Sequence, residues 1–240
     1  MENFERIFKH IRDNTNIDLD DKPILIKNAF DNPDELCDWS SLELAVNTPH
    51  SSDIHIIGSN SEIKEFLPYL EFVNWSKHSY YDHKVAIDLI NEGDSLIAHR
   101  WEDNNLKVRN ICQLLDQIYN VNSSAHVYAG LSQNSKSFYI HADNPSNIIF
   151  QIDGKTEWSV YSNRISTICE LKKVKVDESK FDCIMNDVLV PGDILYIPSR
   201  MYHLAQPMGR RISISFPCWK ESGSGCRIDR NYYPIHYQNT

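Results

Sequence analysis

After Asn120 the chain breaks into short β-rich segments divided by turn residues: SAHVYAG, SFYIHAD, SNIIFQID, TEWSVYS, DVLV, DILYIP, YHLAQP and RISISFP. Asp153-Gly154 and Pro191-Gly192-Asp193 supply turn chemistry between several of them. Many short strands at close spacing confine this half to a β-sandwich or barrel. The half before it reads differently. Residues 1–14 carry Phe4, Ile7, Phe8 and Ile11 at helical spacing, and KPILIKNAF reads as a short strand. Asp31 or Asn32 stands where a cap belongs for a helix starting at Pro33. Residues 61–70 and 82–91 are further helix candidates. LKVRNICQLLDQIY is the clearest helix, with Val108, Ile111, Cys112, Leu115 and Ile118 on one face. The expected architecture is mainly β. A helical and mixed portion over residues 1–119 packs on a β core over 120–220, within a single domain spanning 1–240, and 221–240 form a tail.

Hydrophobic residues at 41% and charged residues at 24% describe an ordinary soluble globule. No apolar run approaches the roughly 20 residues a membrane helix needs. MENFERIFKHIRDN carries charges throughout, so no secretory signal is expected there. The net charge of −9 disfavours nucleic acid as a partner, because phosphate contacts demand a basic surface. Arg200, Arg210, Arg211, Lys220, Arg227 and Arg230 gather late in the chain, and as a group they read as a solvated rim. The six cysteines, Cys37, Cys112, Cys169, Cys183, Cys218 and Cys226, form no C-x-x-C pair and match no zinc framework. They read as reduced, mostly buried thiols in a cytoplasmic protein.

One pair of residues stands out from this background. His141 and Asp143 lie two apart at the mouth of a strand, so their side chains share a face. Imidazole nitrogen and carboxylate oxygen suit a divalent transition metal, and two histidines with one carboxylate leave coordination positions open. The second histidine has to come from elsewhere, and His203 in PGDILYIPSRMYHLAQP is the candidate. His126 alternates with Tyr128 and can line the same barrel. His50, His55, His78, His83, His99 and His236 have no partner at ligand spacing and read mostly as surface or boundary residues.

HADNPSNIIFQIDGKTEW followed by GDILYIPSRMYHLAQP resembles the JmjC-type cupins, which include ribosomal-protein hydroxylases and the hypoxia-factor asparaginyl hydroxylase. The likeness rests on the H-x-D, Gln151, Gly154, Trp158 and the GD-x-LYIP run ending at His203, and it extends over roughly residues 83–217. It implies a double-stranded β-helix of jelly-roll type and an Fe(II)- and 2-oxoglutarate-dependent oxygenase. Such an enzyme hydroxylates a C–H bond of a protein side chain or small molecule with O₂, giving succinate and CO₂. Carried over residue by residue, His141, Asp143 and His203 become the iron ligands. Asn147 falls at a cosubstrate-contacting position, and Tyr128 on the preceding strand points into the barrel or packs in its core.

The likeness fails at one place. These hydroxylases usually carry a lysine or arginine fifteen residues after the first histidine, to hold the far carboxylate of 2-oxoglutarate, and here that residue is Thr156. Lys155 is adjacent, but strand alternation turns it to the opposite face. Arg211 with Ser213 matches an R-x-S pair that other 2-oxoglutarate oxygenases use on the strand after the second histidine, and Thr156 can add a bond across the barrel. Two alternatives accompany the hydroxylase reading: a cupin that binds metal or ligand without catalysis, and an O₂-dependent cupin enzyme that uses no 2-oxoglutarate. The complete H-x-D and distant histidine favour an enzyme.

Overall fold

The protein is described by a computed structural model. It covers residues 1–15, 22–47, 54–58, 63–64, 69–73, 76–80, 83–135, 138–165 and 178–220. Among these are the helices α1 (Glu2–Asn14), α2 (Trp39–Asn47), α3 (His83–Asn91) and α4 (Leu106–Tyr119). The strands before α4 are β1 (Ile24–Ile26), β2 (Ile54–Ile57), β3 (Ile63–Lys64), β4 (Tyr69–Val73), β5 (Ser76–Tyr80) and β6 (Ser95–Ala98). Those after it are β7 (Val121–Ser123), β8 (His126–Gly130), β9 (His141–Ala142), β10 (Ser146–Arg164), β11 (Cys183–Leu189), β12 (Ile194–Ile197) and β13 (Met201–Lys220). Antiparallel pairing runs β1-β12-β10-β13-β8-β6-β2-β3, with β11 on β10 and β7 and β9 on β13, while β4 and β5 pair apart. This is the mainly β architecture expected from sequence, a double-stranded β-helix with helices from the N-terminal half. No helix among the described residues is long and apolar enough to cross a membrane.

Two apolar layers form on opposite faces of the same strands. Ile148, Phe150 and Ile152 of β10, Ile194 and Tyr196 of β12, and Ile212, Ile214 and Phe216 of β13 pack toward α1, α2 and α4. The residues between them, Ile149, Leu195 and Ile197, join Trp158, Val160 and Ala205 inside the barrel. Period-two side-chain direction produces this split. The helices present matching stripes, Ile7, Phe8 and Ile11 on α1 and Val108, Ile111, Cys112 and Leu115 on α4. Phe150 is the hub of the outer layer, with ring centroids 5.0 Å from Phe30, 4.9 Å from Phe216 and 5.6 Å from Phe4. Burying each such ring contributes on the order of 2–3 kcal/mol. Asn105 caps α4, its side chain accepting from the Lys107 and Val108 amides, and Asn120 ends the helix in the left-handed conformation.

Several local expectations are corrected. Residues 61–70 are not helical where they are described: Ile63–Lys64 pairs with β2, and Tyr69 opens β4, so cross-strand pairing overrides local propensity. Residues 82–91 do form a helix, α3. Pro33 begins only a single 3₁₀ turn ending at Leu36, since Asn32 sits at φ 52° and its side chain makes no capping bond. Of the rim arginines, Arg210 is exposed but Arg211 is buried at 3% exposure. Cys37, Cys112 and Cys218 are buried free thiols, while Cys183 is exposed. Cys169, Cys226, Arg227, Arg230, His50, His236 and the tail 221–240 lie outside the described residues.

The largest correction concerns Asp153-Gly154. It does not separate two strands. SNIIFQID and TEWSVYS form one strand, β10, whose pairing with β13 shifts on either side of this dipeptide. YHLAQP and RISISFP likewise join into β13, so both strands turn the corner together and neither needs a hairpin. Gly154 has φ +64°, and a Cβ added there would lie 1.8 Å from the Arg210 carbonyl oxygen. Only glycine fits. Gly154→Ala is therefore expected to lose about 3 kcal/mol or more in urea unfolding, combining positive-φ strain with a backbone collision.

Candidate active site

The short strand β9 pairs with the start of β13 so that His141 and His203 are directly opposed. Asp143 follows at once, and its carbonyl accepts from the Arg200 amide at 2.7 Å. His141 Nδ1 lies 2.7 Å from the Tyr139 carbonyl, and His203 Nδ1 lies 2.9 Å from the Met201 carbonyl. A carbonyl can only accept, so Nδ1 carries the proton in both rings, which leaves Nε2 as the ligating nitrogen. These two Nε2 atoms stand 3.9 Å and 3.6 Å from the Asp143 carboxylate oxygens. The three donor atoms lie within 4.8 Å of one another. Asn147 Nδ2 donates to Asp143 Oδ2 at 2.7 Å and holds the carboxylate toward the rings. Backbone carbonyls and one amide thus fix the orientation of all three side chains, as second-shell partners do at metal sites. Two imidazoles and one carboxylate, converging from one side, are the donor chemistry of a mononuclear iron(II) centre with open positions.

A cavity of about 50 Å³ opens behind this cluster, with Tyr128, Asn147, Arg211 and Ser213 in its wall beside Trp158 and Ile149. The structure thus brings four of the five residues expected around a cosubstrate to the same space as the three donors. Thr156 is buried at 1% exposure on the same face of β10 as Trp158 but does not line the cavity. Lys155 is exposed, as strand alternation requires. Arg211 Nη1 donates to the Tyr128 carbonyl at 2.9 Å, and no carboxylate pairs with its guanidinium among the described residues. Burial pulls its pKa down to about 10, while the neighbouring Tyr128 acts the other way. A buried, unpaired cation at a cavity wall is an anion-binding group. Burial pushes the Tyr128 phenol up, with Asp143 adding to the rise and Arg211 opposing it. Ser213 Oγ donates to Gln151 Oε1 at 3.0 Å, and that amide is oriented by Nε2 bonds to the Asp153, Gly154 and Ile212 carbonyls. The single Ser213 proton is therefore committed to Gln151.

A larger cavity of about 330 Å³ adjoins the first and shares His141, Asp143 and Asn147 with it. His99 and His126 form one of its walls, with Nδ1 atoms 2.8 Å apart. One imidazole donates and the other accepts, and His55 stacks edge-on against His99 at 4.9 Å. His55 and His99 are boundary residues, as their isolation in sequence suggested, yet they are not isolated in space. The missed signal is topological. β6 pairs with β8 at Ala98 and Val127, which places His99 opposite His126.

A double-stranded β-helix with a His-Asp-His cluster at one mouth and a buried arginine beside it defines a cupin-type metal site. Residues 101–223 match the JmjC domain family, and the chain belongs to it. Similar curated proteins include the bifunctional lysine-specific demethylase and histidyl-hydroxylase NO66 of Drosophila pseudoobscura pseudoobscura. It is 26% identical over 127 residues, 53% of this chain and 12% of that protein. NO66 of Drosophila melanogaster is 24% identical over 129 residues, 52% of this chain and 18% of that protein. Among solved structures, Escherichia coli YcfD, a ribosomal oxygenase in complex with cobalt and 2-oxoglutarate, aligns with TM-score 0.60 at 16% identity. The alignment covers 92% of this chain and 54% of that one. The YcfD complex with cobalt and succinic acid gives TM-score 0.55 over 92% and 53%. The chain spans about half the length of these structures and less than a fifth of the two curated relatives.

The histidine pair gives the fold a pH signature. Burial, reinforced by His99, pulls the His126 pKa down to about 4, with Asp143 opposing. Between about pH 6.5 and 4 the unfolded chain takes up a proton that folded His126 refuses, so stability falls as pH falls through that window. The loss should be on the order of 2–3 kcal/mol by urea unfolding at pH 7, 5.5 and 4.5, and His126→Gln should flatten it.

Proposed function

We infer that this chain is an Fe(II)- and 2-oxoglutarate-dependent oxygenase that hydroxylates a C–H bond and releases succinate and CO₂. One observation carries the reading. The fixed Nε2 lone pairs of His141 and His203, the Asp143 carboxylate and an unpaired buried guanidinium share one cavity. His141, Asp143 and His203 would hold the iron. Bound iron(II), with 2-oxoglutarate and O₂, supplies the oxidising chemistry. Arg211 would hold the far carboxylate of the oxo acid, a role the buried cation fits without competition from a protein carboxylate. Tyr128 and Asn147 flank it, Asn147 also keeping Asp143 in place. Ile149, Trp158 and Ala205 form an apolar wall that keeps bulk water from the reacting centre. The adjoining cavity of about 330 Å³ is the place for the substrate. The names of the relatives, a histidyl-hydroxylase and a ribosomal oxygenase, favour a protein side chain there over a small molecule. Residues 1–240 are read as belonging to one domain.

The purified protein should release succinate when given Fe(II), 2-oxoglutarate and ascorbate, even without the substrate. Asp143→Ala should weaken metal binding roughly 100-fold or more, read by anaerobic iron titration, and silence succinate release. Arg211→Ala should weaken 2-oxoglutarate binding roughly thirtyfold or more with metal binding intact, since it removes one partner of a buried charge pair. Lys155→Ala should change neither. A parent protein that binds iron but neither binds nor consumes 2-oxoglutarate would point to the ligand-binding cupin.

A further inference from the structure

Ser213 and Ser215 are two apart on the inward face of β13, and each gives its hydroxyl proton to a side-chain amide of β10. The two chains of bonds end differently. Ser213 donates to Gln151, whose amide runs on to backbone carbonyls. Ser215 Oγ donates to Asn147 Oδ1 at 3.2 Å, and Asn147 Nδ2 donates to Asp143 Oδ2 at 2.7 Å. This second chain ends on the carboxylate of the His-Asp-His cluster. Its direction is fixed at each step. A carboxylate only accepts, so the amide turns its nitrogen to Asp143 and its oxygen to Ser215, whose hydroxyl has one proton to give. Ser215 stands opposite Ile149, which makes Asn147 its diagonal neighbour across the strand pair. Ser215 and Asn147 are buried, at 7% and 4% exposure, whereas the Asp143 side chain is 42% exposed. The anchored end of the chain therefore lies in the sheet and the freer end at the metal site.

We propose that Ser215 is a positioning residue for the metal site, acting on Asp143 through Asn147. The bond from Asn147 aims the carboxylate, and the Ser215 hydroxyl keeps the amide from swinging away. Without that hydroxyl, Asn147 Oδ1 loses the buried donor it has here. Hydrogen bonds in series polarise one another, so a donor two steps away still strengthens the bond on the carboxylate. The inference rests on the metal-binding half of the reading above. Ser215 and Asn147 both line the inner and the outer cavity, so a loss of activity would not distinguish positioning from a lost ligand contact. Binding of the metal alone separates the two roles, because no oxo acid or substrate is then present.

The test titrates the metal-free protein with Co(II) and reads both the affinity and the visible absorption bands of the bound ion. Ser215→Ala should shift the bands and weaken Co(II) roughly tenfold, the lower end of what losing a ligand's partner costs. Ser215→Thr keeps the hydroxyl at a strand position that suits a β-branched side chain, and should restore the affinity to within about threefold. Asn147→Leu should weaken Co(II) at least as much as Ser215→Ala does. In that background Ser215→Ala should add less than about twofold, because residues acting in one chain are not additive. Ser215→Cys, near in size but a weak donor, should behave as Ser215→Ala and decides the matter if the alanine variant fails to fold. Parental affinity and bands in a folded alanine or cysteine variant, or the same loss repeated in the Asn147→Leu background, would overturn the relay. A parent protein that binds Co(II) but no 2-oxoglutarate would overturn the oxygenase reading and leave the relay standing, and one that binds no Co(II) would overturn both.

Discussion

Along β13 the side chains of His203, Ala205, Arg211, Ser213 and Ser215 face the barrel, while Ile212, Ile214 and Phe216 face the helices. This alternation couples stability to chemistry. The outward residues dock the helical layer through Phe150 and its aromatic neighbours, and that docking holds the strand in its register. A slip of one residue would turn Arg211 outward and drive Ile212 into the cavity, so the apolar layer itself protects the polar one. β10 repeats the arrangement with Ile148, Phe150 and Ile152 outward and Asn147, Ile149 and, beyond the bulge, Trp158 inward. The site is assembled where these two strands cross, and its precision is that of the sheet rather than of a loop.

Much of this arrangement is legible in the sequence. Period-two runs identify the strands, and the 3.6-residue stripe over Leu106–Tyr119 gives α4 with its boundaries. His141, Asp143 and His203 follow from donor chemistry and a family likeness. The failures share a cause. Asp153-Gly154 has the composition of a hairpin turn, but composition cannot say whether the partner strand bends alongside, and β13 does. His99 and His126 are 27 residues apart and become neighbours only through the β6–β8 pairing, which no local pattern encodes. Residues 61–70 fail the same way, since Ile63–Lys64 pair with the preceding strand β2 and that pairing overrides the local helical signal. Long-range register is what a single sequence conceals.

Arg211 shows how such a register positions a buried charge. In the barrel a guanidinium needs room on the strands to either side, because cross-strand neighbours point the same way. Its two partners are Gly154 on β10 and Gly130 on β8. Neither contributes a side chain, and the positions their side chains would take are filled by Ser135 at Gly130 and by the Arg210 carbonyl at Gly154. Gly154 is thus required twice, for its positive φ at the bulge and for the close approach of the Arg210 carbonyl. Position 156 is on β10 and position 211 on β13, so the two placements would carry the cation on different strands. The charge balance is the same for either placement. A dication, one carboxylate ligand, a doubly charged oxo acid and a single guanidinium together are neutral, and a closed low-dielectric site tolerates no large departure from that. What the placement on β13 changes is the coupling. His203 and Arg211 are on one strand, so in the proposed site a single backbone carries both a metal ligand and the anion anchor.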